Sequence, residues 1–382
     1  MASDERRVRP RTLRRIASAV GGRIEGIGQR LLGRLLDLGL PVEANVRVDE
    51  VAGVRRVLLV RPNFRLGNAL ITSPLVAALR DRFPGARIDY LGGEGTLALL
   101  ENLPVDERIV MSRGFVLRPW RFVALFLRLR RRAYDVAIEA AMGSFSGGLY
   151  AYLSGARFRV GVAGRSDRFL NVRLPPVPVT HAYDGPVAFA ERLGVSCTPQ
   201  PVYVLTGDEE RAALATLASL DLADGDVVDP FVALFVGGHG KKRWPEESWV
   251  ELAQRLAGEG ARVVLFTGPD EAAAVARLRA RLAGVAHVLE PQPLRHFAAL
   301  LATPAIAVTP DSGPMHLAAA LGVPCVAVLS SRGSTFFPPR GPLDVSLLEP
   351  SVEDVERALH GHPCWATIVG ASRPPVPMAR LA

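Results

Sequence analysis

The 382-residue chain reads as an α/β protein built from two doubly wound, parallel-sheet halves. Three observations predict this. From about residue 54, short apolar runs alternate with longer helical patterns. The short runs are apolar on both faces, as strands become when helices cover both sides of a parallel sheet. The alternation then stops at Thr198-Pro199-Gln200-Pro201, a linker-like stretch, and starts again beyond it.

In the first half, Val57 to Val60 reads as a buried strand and Ala69 to Arg82 as a helix. Strands are expected at Arg87 to Leu91, Arg108 to Met111, Val136 to Ala140 and Phe158 to Val162. Pro119 to Arg132 mixes Trp120, Phe122, Phe126 and Leu129 with five arginines. It reads as a packed helix with a cationic outer edge near lipid headgroups or an anionic acceptor. The polar, Pro-rich stretch 163–180 reads as a loop, and Pro186 to Leu193 as a helix. In the second half, strands are expected at 231–236, 263–267, 286–289, 305–308 and 324–329. Helices are expected over Pro245 to Gly258 and Glu271 to Ala283. The resulting boundaries are a basic extension (1–45), a first domain (46–198), a second domain (199–345) and a C-terminal helix and tail (346–382).

Apolar residues make up 49% of the chain and charged residues 22%, ordinary for a water-exposed globular protein. No apolar run reaches the roughly 20 residues of a membrane span, and no secretory leader is evident. Three scattered cysteines form neither a disulfide framework nor a metal-ligand spacing, so a cytoplasmic protein is expected. The net charge of +8 is carried mainly by arginine, and residues 1–40 are strongly basic. There Leu13, Ile16, Val20, Ile24, Ile27, Leu31 and Leu35 fall on one helical face. Such a segment suits an anionic membrane surface. Docking on the protein's own body or on a second copy is the plainer alternative. No nucleic-acid motif accompanies the charge.

The richest stretch is Thr309-Pro310-Asp311-Ser312-Gly313-Pro314-Met315-His316, between a buried strand and an Ala/Leu-rich helix. The first turn of a helix has amide donors without internal partners, and its dipole favours an anion. Asp311 or Ser312 can cap the helix, Gly313 admits close approach, and Pro314 fits the first turn. A well-capped helix after a strand is the equally simple reading of these residues alone. An Asp-x-Asp triplet, Asp224-Gly225-Asp226, lies in a polar loop away from the other motifs. It is set aside, and no metal is assigned.

Several segments, in matching order, resemble glycosyltransferase family 9, the heptosyltransferase family. They are Arg61-Pro62-Asn63-Phe64-Arg65-Leu66-Gly67-Asn68 with Thr72-Ser73-Pro74, then Phe83 to Asp89, then Tyr134 to Glu139. Lys242-Arg243-Trp244-Pro245, Gly268-Pro269-Asp270-Glu271 and the 311–316 turn complete the match. The resemblance implies a GT-B architecture, two Rossmann-like domains facing a central cleft. It also implies an inverting, metal-independent transfer of a heptose-like sugar to lipopolysaccharide or another cell-surface glycan. The donor would be a nucleotide-diphosphate sugar, an ADP-linked one foremost, with no other cofactor. The acceptor would be lipid-linked or polysaccharide, reached from the cytoplasm with peripheral membrane contact.

In that role the amides at Gly313, Met315 and His316 would stabilise charge growing on the leaving diphosphate. Lys242 would add a point charge, and Glu271 or its neighbour Asp270 would take the ribose hydroxyls. Arg65 and Gly67 would belong to the acceptor loop. One departure stands out. The family's loop usually ends Gly-Asp, with the aspartate as expected base, and here the pair is Gly67-Asn68. An amide cannot take and hold a proton, so Asn68 can orient an acceptor but not deprotonate it. Glu139, Glu94 and His181 are the alternative bases. Gly237-Gly238-His239-Gly240 also replaces the usual hydroxyl-bearing residues before Lys242, so backbone donors would serve there. A nucleotide-sugar epimerase and a non-catalytic binding or membrane-assembly protein are the rival readings, the latter favoured by Asn68.

Overall fold

A computed structural model describes residues 42–112, 119–176, 178–238, 240–370 and 376–377. The amphipathic stretch 13–35 and His239 lie outside the described residues. Each half is a six-stranded parallel sheet. In chain order the first holds β1 (Arg56–Arg61), β2 (Arg87–Gly93), β3 (Glu107–Met111), β4 (Val136–Glu139), β5 (Phe158–Val162) and β6 (Val172–Leu174), arranged β3-β2-β1-β4-β5-β6. A small hairpin, β7 (Ala223–Asp224) and β8 (Val227–Val228), precedes the second sheet. That sheet holds β9 (Val232–Val236), β10 (Val263–Thr267), β11 (His287–Leu289), β12 (Ile306–Pro310), β13 (Cys325–Leu329) and β14 (Val345–Leu348), arranged β11-β10-β9-β12-β13-β14. Both orders are the same doubly wound pattern. The strand order reverses between β1 and β4 in one half and between β9 and β12 in the other. Ligands of such sheets bind outside the carboxyl ends of the strands at that reversal.

The central strands β9, β10, β12 and β13 are buried at every position, which explains why they read as continuous apolar runs. Four apolar clusters cover the two faces of the two sheets. The linker is tied to the first half by the Val202 amide, which donates to Ser73 Oγ at 2.7 Å.

Several elements differ from the sequence-based expectation. Helix 69–82 is two helices, Leu66–Thr72 and Pro74–Arg82, because Pro74 has no amide hydrogen to continue the first. The helix expected at 271–283 opens as a 3-10 turn, Pro269–Ala274, and becomes α-helical only over Val275–Arg281. The loop 163–180 contains β6, too short to show a period. The boundary drawn at 345 falls on the first residue of β14, and helix Val352–His360 packs through Val352, Val355 and Leu359 into the second core. Asp224-Gly225-Asp226 is a hairpin tip, with Gly225 at φ +58.

Candidate functional site

The carboxyl ends of β1 and β12 feed the two loops that face each other. After β1, the Arg65 amide donates to Asn63 Oδ1 at 2.7 Å, closing a turn that aims helix Leu66–Thr72 at the second half. After β12, Asp311 and Ser312 lead into helix Gly313–Ala320. The helices meet at their N-terminal ends. A Cβ placed on Gly67 would lie 2.3 Å from His316 Cδ2, and one on Gly313 would lie 3.0 Å from Leu66 Cβ. Two glycines therefore permit an approach that no side chain would allow. Two positive dipole ends converge there, so the space they border favours an anion.

The helix start is less capped than the residues imply. Ser312 occupies the N-cap position, with φ −151 and ψ 179, but its side chain makes no capping bond, and its buried Oγ has no partner. Asp311 is drawn instead to Lys242, Nζ to Oδ2 at 2.5 Å, with Lys242 also 5.7 Å over the Phe337 ring. The Met315 amide is spent on Ser312 O at 3.2 Å, so it is not one of the open donors expected of it. Gly313 N–H is left without a partner among the described residues at the start of the helix, next to Asp311 and its lysine.

His316 is enclosed by both halves. Tyr183 Oη lies 2.9 Å from its Nδ1, and Gly67 abuts its other edge. Burial is the main cause that lowers its pKa to about 4, with Asp311 opposing and Lys242 reinforcing the shift, so the ring is neutral near pH 7. The Tyr183 hydroxyl has a raised pKa through burial and keeps its proton. A Tyr183 O–H donating to Nδ1 leaves the histidine hydrogen on Nε2, the nitrogen facing the Gly67 loop.

Glu271 sits below the loop after β9. Its side chain is 10% exposed and accepts from Arg243 Nη2 at 2.7 Å, while Arg243 Nε donates to Gly238 O at 2.6 Å. Burial pushes the Glu271 pKa up to about 7, against the pull of Arg243 and with help from Asp270. A Cβ on Gly237 or Gly268 would come within 3.3 and 2.9 Å of the Glu271 carboxylate, and the buried Phe235 ring packs beneath both glycines. Two bare glycines beside one carboxylate leave room for a polar ligand group to be oriented there.

On the first half, Arg65 is exposed and Asn68 half-buried, and the Asn68 amide has no hydrogen-bond partner among the described residues. Glu139 ends β4, fully buried, and accepts from the Ala141 amide at 2.6 Å and the Gly143 amide at 2.7 Å. Burial raises its pKa, although both amides oppose the shift. His181 is likewise engaged at both nitrogens. Nε2 donates to Pro338 O at 2.8 Å, and Nδ1 accepts from the Tyr183 amide at 3.1 Å. Glu94 differs in being exposed, just after β2; its Oε2 accepts from Ser112 Oγ at 3.3 Å, and the preceding Gly93 amide donates to Asn63 O at 3.2 Å.

Sequence reasoning missed Tyr183, Arg243 as the partner of Glu271, and Arg61. The last ends β1 with its Nε buried and unpartnered near Tyr90 and Glu139, and burial lowers its pKa. Arg61 heads the motif that resembles the family's opening loop and ends a strand, but neither signal gave it a role.

Two Rossmann-like lobes whose switch points face each other, with an anion-seeking helix start and a lysine between them, define a glycosyltransferase of the GT-B class. The chain belongs to glycosyltransferase family 9 (heptosyltransferase), whose family model matches residues 122–357. It is similar to lipopolysaccharide heptosyltransferase 2 of Escherichia coli strain K12, 29% identical over 307 residues, spanning 74% of this chain and 85% of that protein. Lipopolysaccharide heptosyltransferase 1 of Pseudomonas aeruginosa is 28% identical over 306 residues, spanning 74% and 80%. The crystal structure of a family 9 glycosyl transferase from Veillonella parvula shares the fold, with TM-score 0.71 at 22% identity, covering 83% of this chain and 98% of that one. The E. coli ADP-heptose lps heptosyltransferase II structure has TM-score 0.62 at 25% identity, covering 80% and 97%.

Proposed function

We propose that this enzyme moves a heptose-like sugar from an ADP-linked donor to a lipopolysaccharide core or a similar lipid-linked glycan, with inversion and without a metal ion. The acceptor is met at the cytoplasmic face of a membrane. The observation that carries the reading is the convergence of Lys242 and the uncapped start of helix Gly313–Ala320 on the first lobe's loop. The printed names of the relatives, lipopolysaccharide heptosyltransferases, support the sugar and acceptor class. In the reaction, the bond between the anomeric carbon and the β-phosphate oxygen breaks, and the electron pair stays on the diphosphate. Gly313 N–H and Lys242 Nζ meet that growing charge. The acceptor oxygen attacks the anomeric carbon from the opposite face, which inverts it, and loses its proton to a base.

Asn68 cannot be that base, and we assign it to orienting the acceptor hydroxyl. Glu139 and His181 have their acceptor atoms engaged within enclosed sites, so we assign Glu139 to anchoring the 140–144 turn. Glu94 is the exposed carboxylate beside the loop, and we assign the proton to it. Glu94→Gln is expected to lower kcat roughly 100-fold with donor affinity unchanged, within the range for general acid–base catalysis. An unchanged kcat removes Glu94 from the mechanism.

The donor assignment is tested by melting-temperature shifts with ADP, UDP and GDP, followed by product analysis with ADP-heptose and a lipopolysaccharide acceptor. A nucleotide at about 100 times its Kd stabilises the fold by about 2.7 kcal/mol, so the shift is easily read. A shift with UDP or GDP and none with ADP would redirect the donor. Nucleotide binding without transfer would favour a non-catalytic role.

Glu271 adds a pH dependence. We assign the ionised carboxylate to the ribose hydroxyls, and protonation removes an acceptor there. With the group poised at about 7, affinity for ADP-glucose is expected to fall from pH 8 to pH 6. The fall approaches about tenfold per unit below the pKa. The two phosphates of that probe are diesters and do not titrate in this range. Isothermal titration of Glu271→Gln should give weaker but pH-independent binding; a wild-type profile that is already flat would place the ribose elsewhere.

A further inference from the structure

Helix Pro119–Arg131 buries Leu125, Phe126 and Leu129 against Leu58, Val60, Leu91 and Ile109 of the first sheet. Its other side is not an ordinary water-facing surface. Trp120, Val123 and Leu127 are 64%, 55% and 52% exposed. Steps of three and four residues put all three on one stripe. Isolated exposed apolar residues are normal, but three of the nine large ones among the described residues fall on this helix. The remaining outward positions include Arg121, Arg128, Arg130 and Arg131, and the helix contains no acid. Arg128 reaches Glu107 at 3.7 Å, whereas Arg121 and Arg131 have no ion-pair partner among the described residues.

Apolar side chains on a helix that carries arginines and no acid suit the boundary between lipid headgroups and acyl chains, where tryptophan is at home. The charge also decides between occupants. Residues 1–40 of this chain are strongly basic, and a second copy docked through this same helix would present the same arginines, so either would bring like charge onto this face. An anionic bilayer complements both the charge and the apolar stripe. The helix follows β3 and runs back along the sheet, which puts its Trp120 end at the carboxyl edge of the strands. The acceptor loop and Glu94 lie on that same edge.

We propose that the Trp120-Val123-Leu127 face of this helix, with its arginines, docks on an anionic phospholipid bilayer and sets the cleft edge against the membrane. The docking gives a location to the lipid-linked acceptor proposed above, but needs neither donor nor acceptor to occur.

The test is co-sedimentation of the full chain with vesicles of phosphatidylcholine, alone or mixed with phosphatidylglycerol. Binding to the mixed vesicles is expected to exceed that to phosphatidylcholine by roughly tenfold or more. The triple variant Trp120→Ser, Val123→Ser, Leu127→Ser should lose most of this binding at an unchanged melting temperature. Since residues 1–41 are present in both proteins, the difference reads the helix alone. A second variant, Trp120→Phe, should bind as wild type yet lose the quenching of tryptophan fluorescence by brominated lipid. Absence of binding to mixed vesicles, equal binding by the triple variant, or quenching that survives in Trp120→Phe would each overturn the proposal. Loss of vesicle binding in the triple variant supports it whatever the response to ADP, so failure of the donor reading leaves a separate mark.

Discussion

Gly67→Val is expected to lower kcat by about 100-fold or more while leaving nucleotide affinity close to wild type, because displacements of about 1 Å can cost that much. A side chain at this position meets the His316 ring, with the first carbon only 2.3 Å from Cδ2. The ring cannot step aside easily, since it is buried and joined to Tyr183 across the cleft. The loop must retreat instead, taking Asn68 and the acceptor with it. Donor binding, built on the second lobe, is spared. Steady-state kinetics beside nucleotide titration separate the two effects. Gly258→Ala, where an added carbon meets nothing within 4 Å, serves as the control. Wild-type kcat in Gly67→Val would mean that the lobes do not meet here during turnover.

The second large effect is expected from Lys242→Met. It removes the cation assigned to the diphosphate, and hydrogen bonds to charged groups are worth about 1.5–3 kcal/mol, or about 10- to 100-fold in nucleotide affinity. It also strands Asp311, whose side chain is 4% exposed and whose Oδ2 otherwise meets the lysine. Loss of one partner of a buried pair costs about 3–5 kcal/mol, but Lys242 is 41% exposed, so solvent screening reduces the expected cost to about 1–2 kcal/mol. The double variant Lys242→Met, Asp311→Asn distinguishes the roles. Its melting temperature should recover, since no buried charge is left unpaired, while its nucleotide affinity should stay low. Recovery of affinity together with stability would show that Lys242 serves the fold and not the ligand.

Much of this molecule was legible before any coordinates. The central strands were readable because burial on both faces leaves an unbroken apolar run, and β9, β10, β12 and β13 are buried throughout. The helix after β12 was readable because Ser312 and Pro314 are start signals that act within one turn. Short elements such as β6 were not, since three residues carry no period. The break at Ser73-Pro74 was missed because the apolar pattern runs straight through it, and only the missing amide hydrogen divides the helix.

The candidate site divides along the same line. Residue types and their order were enough to put Lys242, Glu271 and the 311–316 turn on one functional list and to exclude Asn68 as a base. Which atoms are free to act was decided by folding. Glu139 and His181 look alike as candidates on paper, yet the fold encloses both and occupies their acceptor atoms. Likewise the Met315 amide looks open until the turn closes on Ser312 O.

Local rules of periodicity, capping and turn chemistry thus settle the strands, the helix starts and the chemical repertoire, because each acts among neighbours a few residues apart. The meeting of Gly67 with His316, the Tyr183 bond across the cleft, and the pairing of Arg243 with Glu271 depend on the packing of distant segments. Burial and contact across two lobes have no local signature, so the tertiary structure alone decides them.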